Sequence, residues 1–305
     1  MDELKIQELT WVDMIDPDKK DIDHLGKEYN IHPVVLKELV SPTLRPKVEH
    51  YEHYLFMVLH FPIYDTKEKT TRAVELDFII TKNTLITIRY GKIEPLKSFW
   101  GKCRSDNQYL YFQNSPALLL HCILEELNQF SLRQIDHITK KINGIEKNIF
   151  KPKNSKGEAS LVEKISLIRR DILDFRRTIK PQSSILKSLK VRGVEYFGGD
   201  LEPYFSDIIG DHMRVWDLLE NHKETIESLQ EANDSMLSNR ANMIMKILTI
   251  FAVIVFPLTL LAAIFGMNTT YLPIVGTRHD FWIILSFMLF GTAFMIVLFK
   301  RKKWL

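Results

Sequence analysis

Asn242, Met245, Thr249, Ala252, Phe256, Thr259, Ala263 and Gly266 recur at intervals of three and four, and the residues among them are mostly Leu, Ile, Val and Phe. On a helix this spacing makes one face smaller and more polar than the others, with Leu248 beside it. No acid or base lies on that face. A lining without charge cannot replace the inner hydration shell of a divalent ion such as Mg2+, which is small and gives up its waters reluctantly. The face therefore suits an ion that keeps its waters, or a hydrophobic constriction that closes by dewetting, with Met245 and Phe256 as the candidate constrictions. The same periodicity also suits a dry helix-packing face, and spacing does not separate the two readings. Pro257 predicts a kink that frees the Val253 carbonyl.

Other chemistry is sparse. The chain has no GxxxxGK[ST] loop, no Gly-rich dinucleotide fingerprint and no nucleophile–base constellation, so neither ATP-driven pumping nor an enzyme is expected. His50-x-x-His53 has the look of a metal pair, but strand alternation puts the two imidazoles on opposite faces. The two cysteines, Cys103 and Cys122, lie 19 apart with no CxxC spacing, which fits a reducing compartment and suggests neither a disulfide framework nor a zinc site. A net charge of +3 on 305 residues argues against a nucleic-acid-binding surface.

The elements that must carry the polar face are two spans. Residues 247–265 and 281–299 are each 19 residues without a charge. At ~1.5 Å per residue each reaches about 28 Å, close to the hydrocarbon thickness of a bilayer. Lys246 precedes the first span and Lys300-Arg301-Lys302-Lys303 follows the second, whereas segment 266–280 holds only Arg278 against Asp280, with His279 between them. Positive flanks at both inner ends predict that both termini are cytoplasmic and that a short loop faces out, with Trp282 and Trp304 at the interfaces. The start, Met1-Asp2-Glu3-Leu4-Lys5, has no apolar h-region, so no removed targeting segment is expected. Two helices cannot enclose an aqueous path, so a pore would need several copies.

The remaining chain reads as soluble. Residues 54–61, 75–81 and 84–90 predict strands, the last two joined by a Lys82-Asn83 turn. Asp16-Pro17-Asp18 opens a helix through Ile22 and Leu25. Ser115-Pro116, a capping serine with proline at the first helical position, starts a long helix. The break at 151–157 turns it into a helical hairpin that returns through Leu161, Ile165, Ile168, Ile172, Phe175 and Ile179 to residue 190. From Tyr204 a 3–4 spacing with no proline before Pro257 predicts a stalk helix of roughly 90 Å running into the first span. The expected whole is a mostly helical α+β membrane protein. It comprises a cytoplasmic α/β domain (1–112), a helical hairpin (113–202), a stalk helix with the first span (203–265), an external loop (266–280), and a second span with a basic tail (281–305).

Gly266-Met267-Asn268, directly after the first of two C-terminal spans, resembles the signature of the CorA magnesium transporter family. The similarity continues through the run 242–249, Phe256-Pro257-Leu258-Thr259 and the end Lys302-Lys303-Trp304-Leu305. It reaches back more weakly through 202–207, 176–181, Ile31-His32-Pro33 and Asp16-Pro17. This resemblance implies a funnel-shaped homopentamer in the inner (plasma) membrane. Its cargo would be hydrated Mg2+, with Co2+ or Ni2+ as possible companions and no cofactor beyond Mg2+ as cargo and regulatory ligand. It also implies a filter in which five copies of Asn268, with the Gly266 and Met267 carbonyls, accept hydrogen bonds from the ion's water shell. Glycine would permit close backbone approach there.

A zinc- or cobalt-moving relative on the same scaffold is the nearest alternative, and Met267 argues against the zinc branch. A membrane-anchored coiled-coil scaffold is the distant one. The family loop often reads Met-Pro-Glu-Leu where this chain has Leu272-Pro273-Ile274-Val275, so Asp280 is the only acid of the loop. The resemblance further implies acids at subunit interfaces that bind Mg2+ and hold the pore shut. Counting back from Asn242 without gaps, Asp207 falls on one such position, with Asp211 a turn further on and Glu94 as its partner from the α/β domain. The hairpin tip, with Lys147, Lys151, Lys153 and Lys156, is basic and carries no expected ion site.

Overall fold

The computed structural model describes residues 2–6, 8–43, 45–65, 70–105, 115–151, 155–268, 274–302 and 304. The expectations placed on Lys153, Leu272, Pro273, Lys303 and Leu305 fall outside the described residues. The chain divides into two compact units, Met1–Gln230 and Glu231–Leu305.

The first unit is built on a six-stranded sheet of β1 (Asp2–Ile6), β2 (Leu9–Ile15), β3 (Lys47–His50), β4 (Leu55–Asp65), β5 (Thr70–Ile80) and β6 (Thr84–Arg89). Its strand order is β1-β2-β6-β5-β4-β3. Only β2 and β6 pair in parallel, Thr10 opposite Thr84 and Ile15 opposite Arg89; the other neighbours are antiparallel. Both faces are buried, so apolar residues run continuously along the central strands and alternate in the layer they join. Leu55, Met57, Leu59, Phe78, Leu85 and Trp11 enter one core with the helices α3 (Glu94–Ser105), α4 (Pro116–Ile149) and α6 (Gln182–Phe197). Phe56, Val58, Ile79, Ile86 and Val12 enter the other core, under α1 (Lys19–Glu28) and α2 (Pro33–Glu38). Asp18 caps α1 with a reciprocal capping box to Asp21.

The predicted strands correspond to β4, β5 and β6, β4 running four residues beyond the expected end at 61. The expected two-helix hairpin is corrected to three helices, because the return splits into α5 (Ser155–Ile179) and α6. The split falls at Lys180-Pro181, where proline has no N–H to continue the ladder. Buried Gln182 sits at this break, its amide donating to the Thr178 carbonyl (2.8 Å) and to the His60 carbonyl on β4. Ser115 occupies the N-cap of α4 but makes no capping hydrogen bond, so Pro116 alone carries that start signal.

A 3-10 turn, Gly199–Leu201, leads into α7 (Glu202–Phe265), a single helix of 64 residues that crosses from the first unit into the second. It continues through Pro257. The second unit holds the remainder of α7 and α8 (Asp280–Arg301). These two helices are long and apolar enough to cross a membrane, and almost none of the residues in their apolar stretches is fully buried within the chain.

Candidate functional site

Within the second unit the covered positions define a direction. Within the apolar stretch 247–265 of α7, Ile250 is the most buried residue at 7% exposure, and Ile254, Leu258, Leu261 and Phe265 are half-buried. On α8 the half-buried positions are Ile284, Leu285, Met288, Gly291, Thr292, Met295 and Phe299. Each set repeats at helical spacing, so each helix has one more covered side. At about 100° per residue the α7 set is centred roughly 180° from Thr249, Phe256 and Ala263. The small polar face therefore lies on the side of α7 opposite its covered residues. Asn242, Met245, Leu248, Thr249, Phe256, Thr259 and Ala263 are exposed, Phe256 at 72%, and only Ala252 is half-buried.

The two threonines on this face use their protons inside the helix. Thr249 Oγ1 donates to the Met245 carbonyl and Thr259 Oγ1 to the Val255 carbonyl, both four residues back, at 2.8 and 2.9 Å. What each hydroxyl presents outward is then lone pairs alone. A lining of acceptors orders water with its hydrogens toward the wall and its oxygens toward a cation, the orientation in a cation's own hydration shell.

The helix ends at Gly266, whose N–H donates to the Ala262 carbonyl at 2.9 Å, while Met267 N–H reaches the Ile264 carbonyl at 3.3 Å. A Cβ at Gly266 would stand 3.1 Å from the Ala262 oxygen, so glycine answers here to crowding by the last helical turn. Met267 and Asn268 follow as exposed residues outside the helix. Across the loop, Asp280 accepts from the Gly276 N–H at 3.1 Å and from the Phe281 N–H at 2.7 Å. The one acid of the loop thus sits in the first turn of α8, where a carboxylate complements the helix dipole, while the N-cap residue His279 makes no side-chain capping bond.

The acids expected to gate lie in the first unit. Asp207 stands on α7 with its side chain 63% exposed, and its Oδ2 meets His121 Nε2 of α4 at 3.0 Å. Asp211 is one turn on; burial first, and then the Asp207 charge, push its carboxyl above the usual range. Neither acid forms an ion pair with a lysine or arginine among the described residues. Glu94 is exposed at the first turn of α3, where a carboxylate complements the helix dipole. Among the described residues no three His, Cys, Asp or Glu side chains gather as a metal site, so a single chain does not unite Glu94 with the two aspartates. His50 ends β3 with its ring against Tyr196 at 5.4 Å, and His53 lies in the turn before β4.

His121 had no signal in the sequence, being 86 residues from its partner on another helix. The same holds for Arg176, which pairs with Glu220 at 2.6 Å and lies 5.1 Å from the Trp216 ring, and for Thr139, 2.7 Å from His222. These contacts fasten the first-unit part of α7 to α4 and α5. Burial pushes the Cys103 and Cys122 thiols up to about 12 and about 11, which leaves both as inert packing groups.

A buried mixed sheet, a helical return and one continuous helix that carries its polar face into the first of two exposed apolar spans define an α+β membrane protein of the ion-transporter class. The CorA-like Mg2+ transporter family model matches residues 7–301, and the chain belongs to that family. Among its relatives, the cobalt/magnesium transport protein CorA of Thermotoga maritima is 27% identical over 300 residues, covering 97% of this chain and 83% of that protein. The protein of the same description from Methanocaldococcus jannaschii is 23% identical over 307 residues, covering 100% and 95%. The fold is also that of the complete structure of the CorA magnesium transporter from M. jannaschii, with a TM-score of 0.86 at 22% identity over 100% of this chain and 95% of that one.

Proposed function

We propose that this chain carries hydrated Mg2+ down its electrochemical gradient through a pore lined by the polar face of α7 from five identical copies. The observation that supports this most directly is the direction of that face. It lies opposite the half-buried side of α7, is free of charge, and offers the Thr249 and Thr259 oxygens as acceptors. Five such faces around an axis would bury the one polar surface the membrane half of α7 possesses.

In this reading residues 1–112 and 113–202 are cytoplasmic, residues 203–265 form the stalk and first span, 266–280 the outer loop, and 281–305 the second span and tail. Both termini lie in the cytoplasm of a cell whose inner (plasma) membrane holds the pentamer. Gly266, Met267 and Asn268 form the filter, acting on the ion through its waters. The membrane potential supplies the drive, ~4.6 kcal/mol for a divalent ion at 100 mV. Asp207 and Asp211, with Glu94 from a neighbouring copy, bind internal Mg2+ and hold the pore closed. Their hard carboxylate oxygens suit that ion, and loss of it leaves carboxylates that repel. Co2+ and Ni2+ are secondary cargoes, and the fold does not discriminate among them.

The test is Mg2+ uptake into proteoliposomes containing the wild type or Asn268→Ala, in competition with Co2+, Ni2+ and Zn2+. The expected result is that Asn268→Ala loses Mg2+ uptake or its preference for Mg2+. Equal uptake and equal preference in the two proteins overturn the filter assignment, and a preference for Zn2+ in the wild type overturns the cargo.

A further inference from the structure

We propose that His121 is a positioning residue of the gating site: it holds Asp207 by one carboxylate oxygen and so presents the other to a divalent cation. This rests on the assignment of Asp207 to Mg2+-dependent closure.

The geometry is specific. His121 is fixed between two residues on successive turns of α7. Its ring stands edge-on to Tyr204, 5.3 Å between centroids and 79° between planes, and its Nε2 lies 3.0 Å from Asp207 Oδ2. The imidazole is 12% exposed and the carboxylate 63%. One partner is therefore packed in place while the other reaches solvent. Oδ1 of Asp207 has no partner among the described residues.

A carboxylate that binds a cation at an interface must be oriented before the ion arrives, and an N–H donor behind it is the usual means. The residue type matters. A guanidinium at this place would take both oxygens in a fork and cancel the charge, whereas a single ring N–H takes one. Asp211, one turn on, adds a second hard oxygen donor with no basic ion-pair partner among the described residues. His121 thus does for Asp207 what an outer-shell partner does for a metal ligand, and it does so from α4, so the site depends on the docking of α4 against α7.

The experiment uses the full-length chain in detergent and reads the Mg2+ concentration that half-protects it from limited proteolysis, with calorimetric Mg2+ binding on the same samples. His121→Ala is expected to raise that midpoint about tenfold. His121→Gln, which can offer an amide N–H to the same oxygen, is expected to recover part of the shift. In an Asp207→Asn background, which itself raises the midpoint, His121→Ala is expected to add nothing further. Where His121→Ala does not fold, His121→Leu fills the space without the N–H and carries the same expectation. An unmoved midpoint in His121→Ala, or an equal shift in the Asp207→Asn background, overturns the proposal while leaving the gating assignment intact. An unmoved midpoint in Asp207→Asn alone overturns the gating assignment and the positioning role with it.

Discussion

The Tyr90 hydroxyl lies 3.0 Å from Asp77 Oδ2 and 3.1 Å from the Leu39 carbonyl oxygen, so one hydroxyl proton faces two acceptors. A proton on Asp77 resolves the conflict: the acid donates to Tyr90, and Tyr90 donates to the end of α2. Asp77 is 1% exposed. Burial first, then the charge of Glu75, push its carboxyl up to about 8, with Glu38 adding to the rise and Lys47 and Tyr90 opposing it. The folded state therefore holds a proton that the unfolded chain releases near the ordinary aspartate value. The corresponding stability is fully present below about pH 4 and is lost as the pH rises through about 8. Asp77→Asn keeps the neutral form at every pH. Melting of the full chain between pH 6 and 9 should show the wild type losing stability relative to Asp77→Asn, and parallel curves would refute the protonated relay.

The buried pair Asp13–Arg89 ties the one parallel strand pair together, at 2.7 Å with both side chains 4% exposed. Thr87 donates to the same carboxylate, and Trp11 Nε1 donates to Thr87. Asp13→Ala leaves a guanidinium buried without its anion and should cost about 3–5 kcal/mol, whereas replacing both partners with apolar residues should cost less. Thermal denaturation of the single and double variants checks the order.

Gly193 of α6 lies against Phe205 of α7, and a Cβ there would meet the ring's Cζ at 2.5 Å. Phe205 is 2% exposed, within the core, with little room to yield. Gly193→Ala should destabilise the first unit by about 1–3 kcal/mol through overpacking, despite alanine's better helix propensity. A variant that melts at or above the wild-type temperature would show that the ring can move aside.

Phe256 is the bulkiest member of the α7 polar face and 72% exposed within one chain. If it forms the dewetting constriction, Phe256→Ala should leave Mg2+ flux in proteoliposomes at internal Mg2+ concentrations that close the wild type. Full closure of the variant would move the constriction to another level of the helix, with Met245 the next candidate.

What could be read beforehand depended on how local each signal was. The continuous α7 was legible because its spacing and its lack of proline up to Pro257 are properties of one stretch of chain. The central strands were legible as apolar runs between turn residues. Strands β1 and β2 were not, since β1 is a five-residue edge strand rich in charge and β2 is recognisable mainly by its pairing with the distant β6. The four residues of β3 fell below any periodicity. Of the candidate site, the polar stripe and Asp207 could be named as candidates from the sequence, whereas the His121 contact could not, because a contact between two helices leaves no mark in either one alone.

The internally satisfied hydroxyls of Thr249 and Thr259 bear on how the protein is made. In a single copy of the chain both would face lipid, and each already has its proton on a carbonyl of its own helix. The first span can therefore partition into the bilayer before it has met another copy, with no donor stranded in hydrocarbon. Assembly of the proposed pentamer would then proceed in two separable stages, insertion of monomers followed by lateral association.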